Sequence, residues 1–148
     1  MEILFPPKDF LERMPREKWR NPNNNSLVVK VSFGRHSFLF PGDITAAGER
    51  ALVAAAGEKL KSTVLLSPHH GSDSSSTPPF IERVDPEVVV VSCGWMNQFH
   101  FPAEAVLERY ETQGAEILRT DINGAIRLWT DGREMKIRTT LKNLNHPT

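Results

Sequence analysis

The sequence predicts an α/β protein with a mixed sheet and flanking helices. In the middle of the chain, helical patterns alternate with apolar strands, as in parallel sheets with helical crossovers. Near both ends, strand pairs are separated by short glycine-containing turns, which is typical of antiparallel hairpins. The nearly continuous valine run "EVVVVSC" indicates a strand covered on both faces.

The amino-terminal part contains three predicted strands and one polar segment. "EILF" predicts a short strand that Pro6 and Pro7 end. Residues 8–25 are rich in polar side chains and form a polar excursion rather than core. "SLVVKVSF" and "HSFLFPGD" lie on either side of Gly34-Arg35 and predict a hairpin.

Helices and strands then alternate. Thr45 is placed to cap a helix through "AAGERALVAAAGEKL", and Thr77 to cap the short helix "PPFIERV". "STVLLS" predicts a buried strand between these two helices. "PAEAVLERYETQ" predicts an amphipathic helix that starts at Pro102 and ends at Gly114.

The last strands complete a single domain over residues 1–148. "AEILRT", "GAIRLWT" and "REMKIRT" predict three strands, and Asp131-Gly132 joins the last two in a hairpin. We expect all strands to share one mixed sheet, with helices on one face, and residues 141–148 to form a disordered tail.

Composition excludes some classes of function and leaves others open. The formal net charge is zero, so bulk charge gives no indication of nucleic-acid binding. The single cysteine, Cys93, rules out an internal disulfide framework and a cysteine zinc cluster. No apolar run approaches the roughly 20 residues that a membrane-spanning helix needs.

Polar residues that can bind a metal follow two neighbouring predicted strands. Asp43 comes after "SFLFPG", and His69 and His70 come after "TVLLSP". Strands that flank one helix usually lie side by side in parallel, so their carboxyl ends meet at one edge. Carboxylate and imidazole together suit zinc or manganese. The alternatives are an aspartate that caps the next helix and a histidine pair in a solvated loop.

Other polar residues are candidates for supporting or substrate-binding roles. Ser72 and Ser74 can hydrogen-bond the histidines. "SCGWMNQFHFP" places Asn97 and His100 after the next strand, among aromatic side chains that otherwise serve packing. Asn25 and Ser26 indicate an ordinary turn when taken without further context, and a turn is also favoured at Asp121 and Gly124.

The order of these motifs resembles a known family. "ILFPP", "NNNSLVVKV", "FLFPGD", "LLSPHHGS", "VVVVSCGWMNQFHFP" and "ILRTDINGAI" are similar to the carboxyl-terminal metallo-β-lactamase-like domain of ComEC-type competence proteins. The resemblance covers residues 2–138. It implies a four-layer αββα sandwich, with this chain as its carboxyl-terminal half, in a protein of the bacterial inner membrane that takes up transforming DNA.

The resemblance also implies roles for residues. Asp43 matches the metal-bridging aspartate, and one histidine of the pair, His69 before His70, matches the late metal-binding histidine. Asn25 and Ser26 match the asparagine-serine motif near the site. The activity implied is metal-dependent phosphodiester hydrolysis on incoming DNA, with catalytic residues Asp43, His69 and His70 and with two zinc or manganese ions in the intact domain.

Two departures from the family limit what this chain does alone. The family's His-x-Asp-x-Asp-His motif does not precede Asp43, and Phe101 stands where many relatives have histidine, with His100 one place earlier. We therefore expect a soluble half-domain that binds metal weakly or not at all and is inactive alone. Its expected partners are DNA through the parent protein, the missing amino-terminal half, and further copies of itself through exposed apolar surface.

Two other functions remain open. One is a non-catalytic module that binds DNA or a protein partner, and the other is a different hydrolase with the metallo-β-lactamase fold. The presence of the upstream histidine-rich motif in the neighbouring genomic sequence distinguishes the first alternative from the nuclease. For all three functions we expect Asp43, the histidine pair and Asn97 or His100 to converge on one sheet edge.

Overall fold

The computed structural model describes residues 1–13, 15–19 and 21–141, without the side chains of residues 11 and 13. The strands run Glu2–Phe5 (β1), Val28–Phe33 (β2), His36–Phe40 (β3), Val64–Leu66 (β4), Val88–Val91 (β5), Glu116–Arg119 (β6), Ile126–Thr130 (β7) and Met135–Thr139 (β8). The helices run Phe10–Arg13 (α1), Ala46–Ala56 (α2), Pro78–Val84 (α3), Glu104–Gln113 (α4) and Thr120–Asn123 (α5). The predicted tail, apart from Leu141, lies outside the described residues.

The main sheet of the described residues is mixed, as the sequence predicts. Six strands lie in the order β1-β2-β3-β4-β5-β6. The pairs β1–β2 and β2–β3 are antiparallel, whereas β3–β4, β4–β5 and β5–β6 are parallel. The three parallel crossovers each contain a helix, so the carboxyl ends of β3, β4, β5 and β6 share one edge.

The core lies between the sheet and α2, α3 and α4. Its buried side chains include Leu39, Leu65 and Val89 from the strands and Leu52 and Phe80 from the helices. Because these strands also contact apolar side chains on their other face, the continuous valine pattern of β5 matches its position in the middle of the sheet. The prediction of an α/β fold with flanking helices is therefore confirmed.

Two details of the predicted helices are wrong. The helix after Asp43 ends at Ala56, because Gly57 has a φ of 50° and a separate 3-10 turn, Gly57–Leu60, follows. Thr45 and Thr77 lie at the helix starts, but neither side chain caps its helix. The hydroxyl of Thr45 instead donates to Asn24 Oδ1 at 3.1 Å, and that of Thr77 donates to Glu49.

The last hairpin also departs from the expectation of one sheet. β7 and β8 pair only with each other and form a separate two-stranded sheet. The predicted turn at Asp121 and Gly124 is the one-turn helix α5, which redirects the chain out of the main sheet after β6. The hairpin packs Leu128 and Ile137 against Val64 and Val88, and so covers part of the face opposite the helices.

The rest of that face is apolar and open to solvent. Cross-strand register places Ile3, Val29 and Phe40 opposite one another, and Val31 opposite Phe38, so these side chains share the face. Ile3 is 62% exposed and Phe40 is 42% exposed. In the described residues, no helix is both long enough and apolar enough to span a membrane.

Candidate functional site

Asp43 lies at the carboxyl edge of β3, where a glycine lets the chain turn. Gly42 has a φ of 64°, and a Cβ there would lie 2.7 Å from the Cβ of Ser26. The N–H of Asp43 donates to Ser26 Oγ at 3.0 Å, and that hydroxyl donates to the carbonyl of Asn23 at 2.7 Å. Ser26 therefore fixes the backbone of Asp43, while the adjacent Asn25 is exposed.

The histidine loop follows β4 at the same edge and has an unusual backbone. His69 and His70 have φ values of 51° and 56°, in the left-handed region. Such conformations cost about 1–3 kcal/mol each and persist when neighbouring contacts hold them. The N–H of His69 donates to the carbonyl of Gly42 at 3.0 Å, which joins this loop directly to the segment before Asp43.

His70 is oriented toward Asp43. Its Nδ1 lies 2.8 Å from the carbonyl oxygen of Ser92, so Nδ1 carries the proton and donates. The other ring nitrogen, Nε2, carries the lone pair when the ring is neutral, and it lies 3.6 Å from Asp43 Oδ1. About half of each side chain is exposed to solvent. A backbone carbonyl behind a ring nitrogen is the support that metal-binding histidines usually have.

His69 has different surroundings. Its Nε2 lies 3.4 Å from Asn23 Nδ2, and its Nδ1 lies 3.3 Å from Ser74 Oγ. Its ring meets the edge of Phe101 at a centroid distance of 5.8 Å. Both of its nitrogens are thus already within hydrogen-bond distance of the protein, and the geometry favours His70 over His69 as the partner of Asp43.

The serines after the histidines form a braced loop. Ser72 Oγ lies 2.9 Å from Ser74 Oγ, which in turn approaches His69. Ser75 donates its hydroxyl to the carbonyl of Pro68 at 3.0 Å. Ser72 therefore reaches His69 through Ser74, and its role in supporting a metal-binding histidine stays a prediction.

Glu49 of α2 holds the far end of the same loop. The fully buried carboxylate accepts the N–H of Ser76 at 2.5 Å and the N–H of Thr77 at 2.8 Å. Burial raises the pKa of Glu49, and its bonds to Thr77 and Ser76 oppose that rise. Because α2 begins three residues after Asp43, Glu49 links the aspartate and histidine segments through the core.

The third loop at this edge forms an aromatic rim. Asn97 donates its amide to the carbonyls of Gly94 and Phe101 at 3.0 and 2.6 Å, and so braces its own loop. Phe99 stacks on Phe101 at a centroid distance of 5.6 Å. Trp95, Met96 and Phe99 are 77%, 80% and 64% exposed. His100 is exposed and does not line the groove described next.

These three loops enclose a groove of about 490 Å³. Its polar lining includes Asp43, His69, His70 and Asn97, as the sequence predicts, and its remaining lining residues are Asn23, Ser92, Cys93, Gly94, Phe99 and Phe101. Among the described residues, no group of three or more histidine, cysteine, aspartate and glutamate side chains is arranged to hold a metal ion. Asp43 Oδ1 and His70 Nε2 face each other across 3.6 Å, a distance that a shared ligand can bridge.

Cys93 lines the groove, but its thiol is hydrogen-bonded to Asp121. Its Sγ donates to Asp121 Oδ1 at 3.1 Å, and burial together with this bond raises the pKa of the Cys93 thiol. Arg119 donates to both oxygens of Asp121, at 3.0 and 2.6 Å. Burial works against ionisation of Asp121, but its bonds with Arg119 and Cys93 keep the pKa of that carboxyl below its ordinary value.

Sequence reasoning missed Asn23, Ser92 and Glu49. Asn23 is in the run "NNN", where the 3-10 turn Asn23–Asn25 decides which amide faces the groove. Ser92 acts through its carbonyl oxygen, which has no side-chain signal. Glu49 lies on the helix face that turns toward the core, and a charged residue at a core position was the signal that could have revealed it.

Comparison with known proteins identifies homologues among competence proteins. The chain is 40% identical to competence protein ComA of Neisseria gonorrhoeae over 119 residues, which are 80% of this chain and 17% of ComA. It is 38% identical to YcaI of Escherichia coli over 102 residues, 69% of this chain and 14% of YcaI. It is 35% identical to ComE operon protein 3 of Bacillus subtilis over 104 residues, 70% of this chain and 13% of that protein.

The matched region is a small part of each relative, at most 17% of its length. No family model matches the chain. The similarity nevertheless extends over most of the sequence, 80% of this chain for ComA and 70% for ComE operon protein 3. The homologues of this chain are thus competence proteins, and the similarity fits the ComEC-type family.

Proposed function

We propose that this chain is part of a competence-type DNA uptake protein of the bacterial inner membrane and supplies half of a metal-dependent phosphodiester hydrolase site. In this proposal the chain is the carboxyl-terminal half of a metallo-β-lactamase-like domain. Asp43 and His70 are its metal ligands. His69 lies beside them and contacts Asn23 and Ser74 instead. The similarity to competence proteins supports the biological role.

The observation that carries the proposal is the orientation of His70. The carbonyl of Ser92 accepts the Nδ1 proton, and Nε2 lies 3.6 Å from Asp43 Oδ1, so the neutral ring presents its lone pair toward the carboxylate. Carboxylate oxygen and neutral imidazole are ligands that zinc and manganese accept. With such an ion held by Asp43 and His70, the site would gain a Lewis acid for a phosphoryl oxygen and a means of activating water. The protein's own contribution is to hold the two ligands and an apolar rim at one open groove.

Two ligands are fewer than the roughly four that a zinc site needs. In the described residues no third acidic, cysteine or histidine side chain completes the set. We propose that the missing ligands come from the preceding half of the domain in the longer parent. The apolar face that carries Ile3, Val31 and Phe40 supports this, since it is open on the side where a second sheet can pack.

The aromatic rim supports a nucleic-acid substrate. Phe99 presents an exposed ring that lines the groove with the proposed metal ligands, and Trp95 is exposed on the same loop. Aromatic side chains stack on unpaired bases without regard to sequence. A base held on this rim would bring the adjoining phosphodiester toward Asp43 and His70.

Metal titration of the chain, followed by calorimetry, tests the ligand assignment. Zinc and manganese should bind weakly, and Asp43→Ala and His70→Ala should each abolish the binding that exists. His36→Ala is the matched control, because His36 lies at the opposite end of β3 and contacts Thr130 Oγ1 instead. Equal loss in the His36 variant would show that the titration reports adventitious binding.

Nuclease assays test the reaction itself. The chain alone should not cleave DNA, whereas a longer protein in which it follows a His-x-Asp-x-Asp-His segment should cleave with zinc or manganese. Asp43→Ala should remove that activity. Cleavage by the isolated chain that persists in Asp43→Ala would place the chemistry elsewhere and overturn the proposal.

A second candidate is a non-catalytic module that binds DNA. The observation that favours it is the combination of exposed aromatic side chains with only two candidate ligands in the described residues. A longer protein that binds DNA but does not cleave it with any divalent metal would support this alternative.

A further inference from the structure

The outward face of the β7–β8 hairpin carries cations around an exposed aromatic ring. Cross-strand register pairs Arg127 with Arg138 and Trp129 with Lys136. These four side chains are exposed, whereas the alternate positions face the main sheet. The face therefore combines three cationic groups with one aromatic ring, although the chain as a whole has no net charge.

None of the three cations is neutralised by an ion pair within the described residues. The acidic groups of the hairpin, Asp131 and Glu134, lie at its turn, where they line a small depression together with Trp129 and Lys136. Asp131 accepts the N–H groups of Arg133 and Glu134 at 2.8 Å, so it is used to form the turn. Arg127 and Arg138 lie farther from the turn than these carboxylates, so their positive charge remains available to an anionic partner.

The arrangement of the cations has a cost for stability. Arg127 and Arg138 are directly opposite each other, and like charges in that position destabilise a strand pair. Arg138 offsets part of this cost, since its guanidinium lies 5.4 Å from the centre of the Trp129 ring. Stability alone would favour an acidic residue opposite either arginine.

We propose that this face binds single-stranded nucleic acid. Arg127, Lys136 and Arg138 contact backbone phosphates, and a base stacks on the exposed side of Trp129, which is 38% accessible. Cations interleaved with an aromatic ring are the features that bind single strands without sequence preference. An anionic membrane is a poorer match, because interfacial binding needs several apolar side chains and Trp129 is the one apolar group on this face.

The surface lies on the hairpin and not in the groove, so its binding can be measured without the metal. The experiment is fluorescence anisotropy of a labelled oligothymidylate with the whole chain, in a chelating buffer, over a series of salt concentrations. Arg127→Gln combined with Arg138→Gln should weaken binding and reduce the slope of log K against log salt by about 1.4, at about 0.7 for each lost phosphate contact.

Matched variants separate this surface from general charge effects. Arg50→Gln combined with Lys59→Gln removes two exposed cations from the helical side of the molecule and should leave binding unchanged. Trp129→Leu should weaken binding about tenfold, while Trp129→Phe should retain most of it, because only the latter keeps a ring for stacking. The thermal midpoint of the arginine double variant should equal or exceed that of wild type, since a repulsion is removed.

The outcomes decide the proposal. Loss of binding confined to the hairpin variants, with weaker binding of duplex than of single strands, would support it. No binding by wild type, equal binding of duplex, or equal loss in the Arg50 and Lys59 control would overturn it. Stronger binding to phosphatidylglycerol vesicles than to oligothymidylate would also overturn it in favour of a membrane. The assay contains a chelator and compares variants of the hairpin, so failure here leaves the proposed metal site untouched.

Discussion

The side-chain hydroxyl of Ser26 accepts the backbone N–H of Asp43 at 3.0 Å, which ties the turn before β2 to the end of β3. Ser26→Ala removes this acceptor and should lower the free energy of unfolding by about 1 kcal/mol. It should also weaken metal binding, because Asp43 loses its fixed position. Urea unfolding and metal titration measure the two effects. Ser32→Ala, at an exposed position of β2, should change neither; unchanged metal affinity in Ser26→Ala would contradict the positioning role.

The two histidines should differ in their contribution to metal binding. His70→Asn should abolish binding, because the lone pair facing Asp43 is lost. His69→Asn should reduce affinity only modestly, because both nitrogens of His69 contact the protein. Asparagine tolerates the left-handed backbone of both positions, which makes the comparison a matched one. The reverse order of effects in calorimetry would assign the ligand to His69.

Glu49 should give the protein a specific pH dependence. Burial raises the pKa of Glu49 above its ordinary value of 4.5. The folded state therefore holds this proton more tightly than the unfolded state, and the stability from Glu49 is greatest below the unfolded pKa and declines as pH rises through the folded pKa. Relative to Glu49→Gln, the free energy of unfolding of wild type should fall from acidic to neutral pH.

Denaturant titrations at several pH values measure that difference. Glu111→Gln is the control, since Glu111 is exposed on α4 and should show a constant difference from wild type. A difference between wild type and Glu49→Gln that does not change with pH would mean that Glu49 titrates normally in the folded protein.

Cys93 should react slowly with alkylating reagents. Burial and the bond to Asp121 raise the pKa of its thiol above the ordinary value of 9.0, so little of the reactive thiolate is present at neutral pH. Iodoacetamide should modify Cys93 more slowly than it modifies glutathione, and added zinc should slow it further, because Cys93 lines the groove. Mass spectrometry follows the reaction, and a rate that levels off below pH 9.0 would contradict the raised pKa.

The open apolar face should cause self-association of the isolated chain. Phe40 and Val31 are exposed on the face opposite the helices, and large apolar patches drive association. Sedimentation velocity should show dimers or larger species for wild type and a shift toward monomer for Phe40→Lys. Phe99→Lys, an equal change on the groove rim, is the control and should not shift the distribution. A wild type that stays monomeric at high concentration would count against a missing partner for this face.

The meeting of Asp43 with the histidine pair was predictable from sequence, because alternating helices and strands imply that parallel strand ends share an edge. The choice between His69 and His70 was not, since it depends on two left-handed backbone conformations and on a carbonyl of the neighbouring strand. The separation of β7 and β8 from the main sheet was also not predictable from sequence. Alternating apolar and polar residues fit a hairpin that extends the main sheet as well as one that packs on its face.

The left-handed backbone at positions 69 and 70 also restricts how this site can change during evolution or design. Outside glycine, the side chains that adopt φ values near 51° and 56° most readily are asparagine, aspartate and histidine. All three carry nitrogen or oxygen atoms that bind cations, whereas valine, isoleucine and threonine are sterically penalised there. Substitutions that keep the backbone of these two positions are therefore mostly ones that keep an atom able to bind a cation. In a library of variants of this loop, imidazole, which suits zinc, can be replaced by carboxylate, which suits magnesium, without changing the turn.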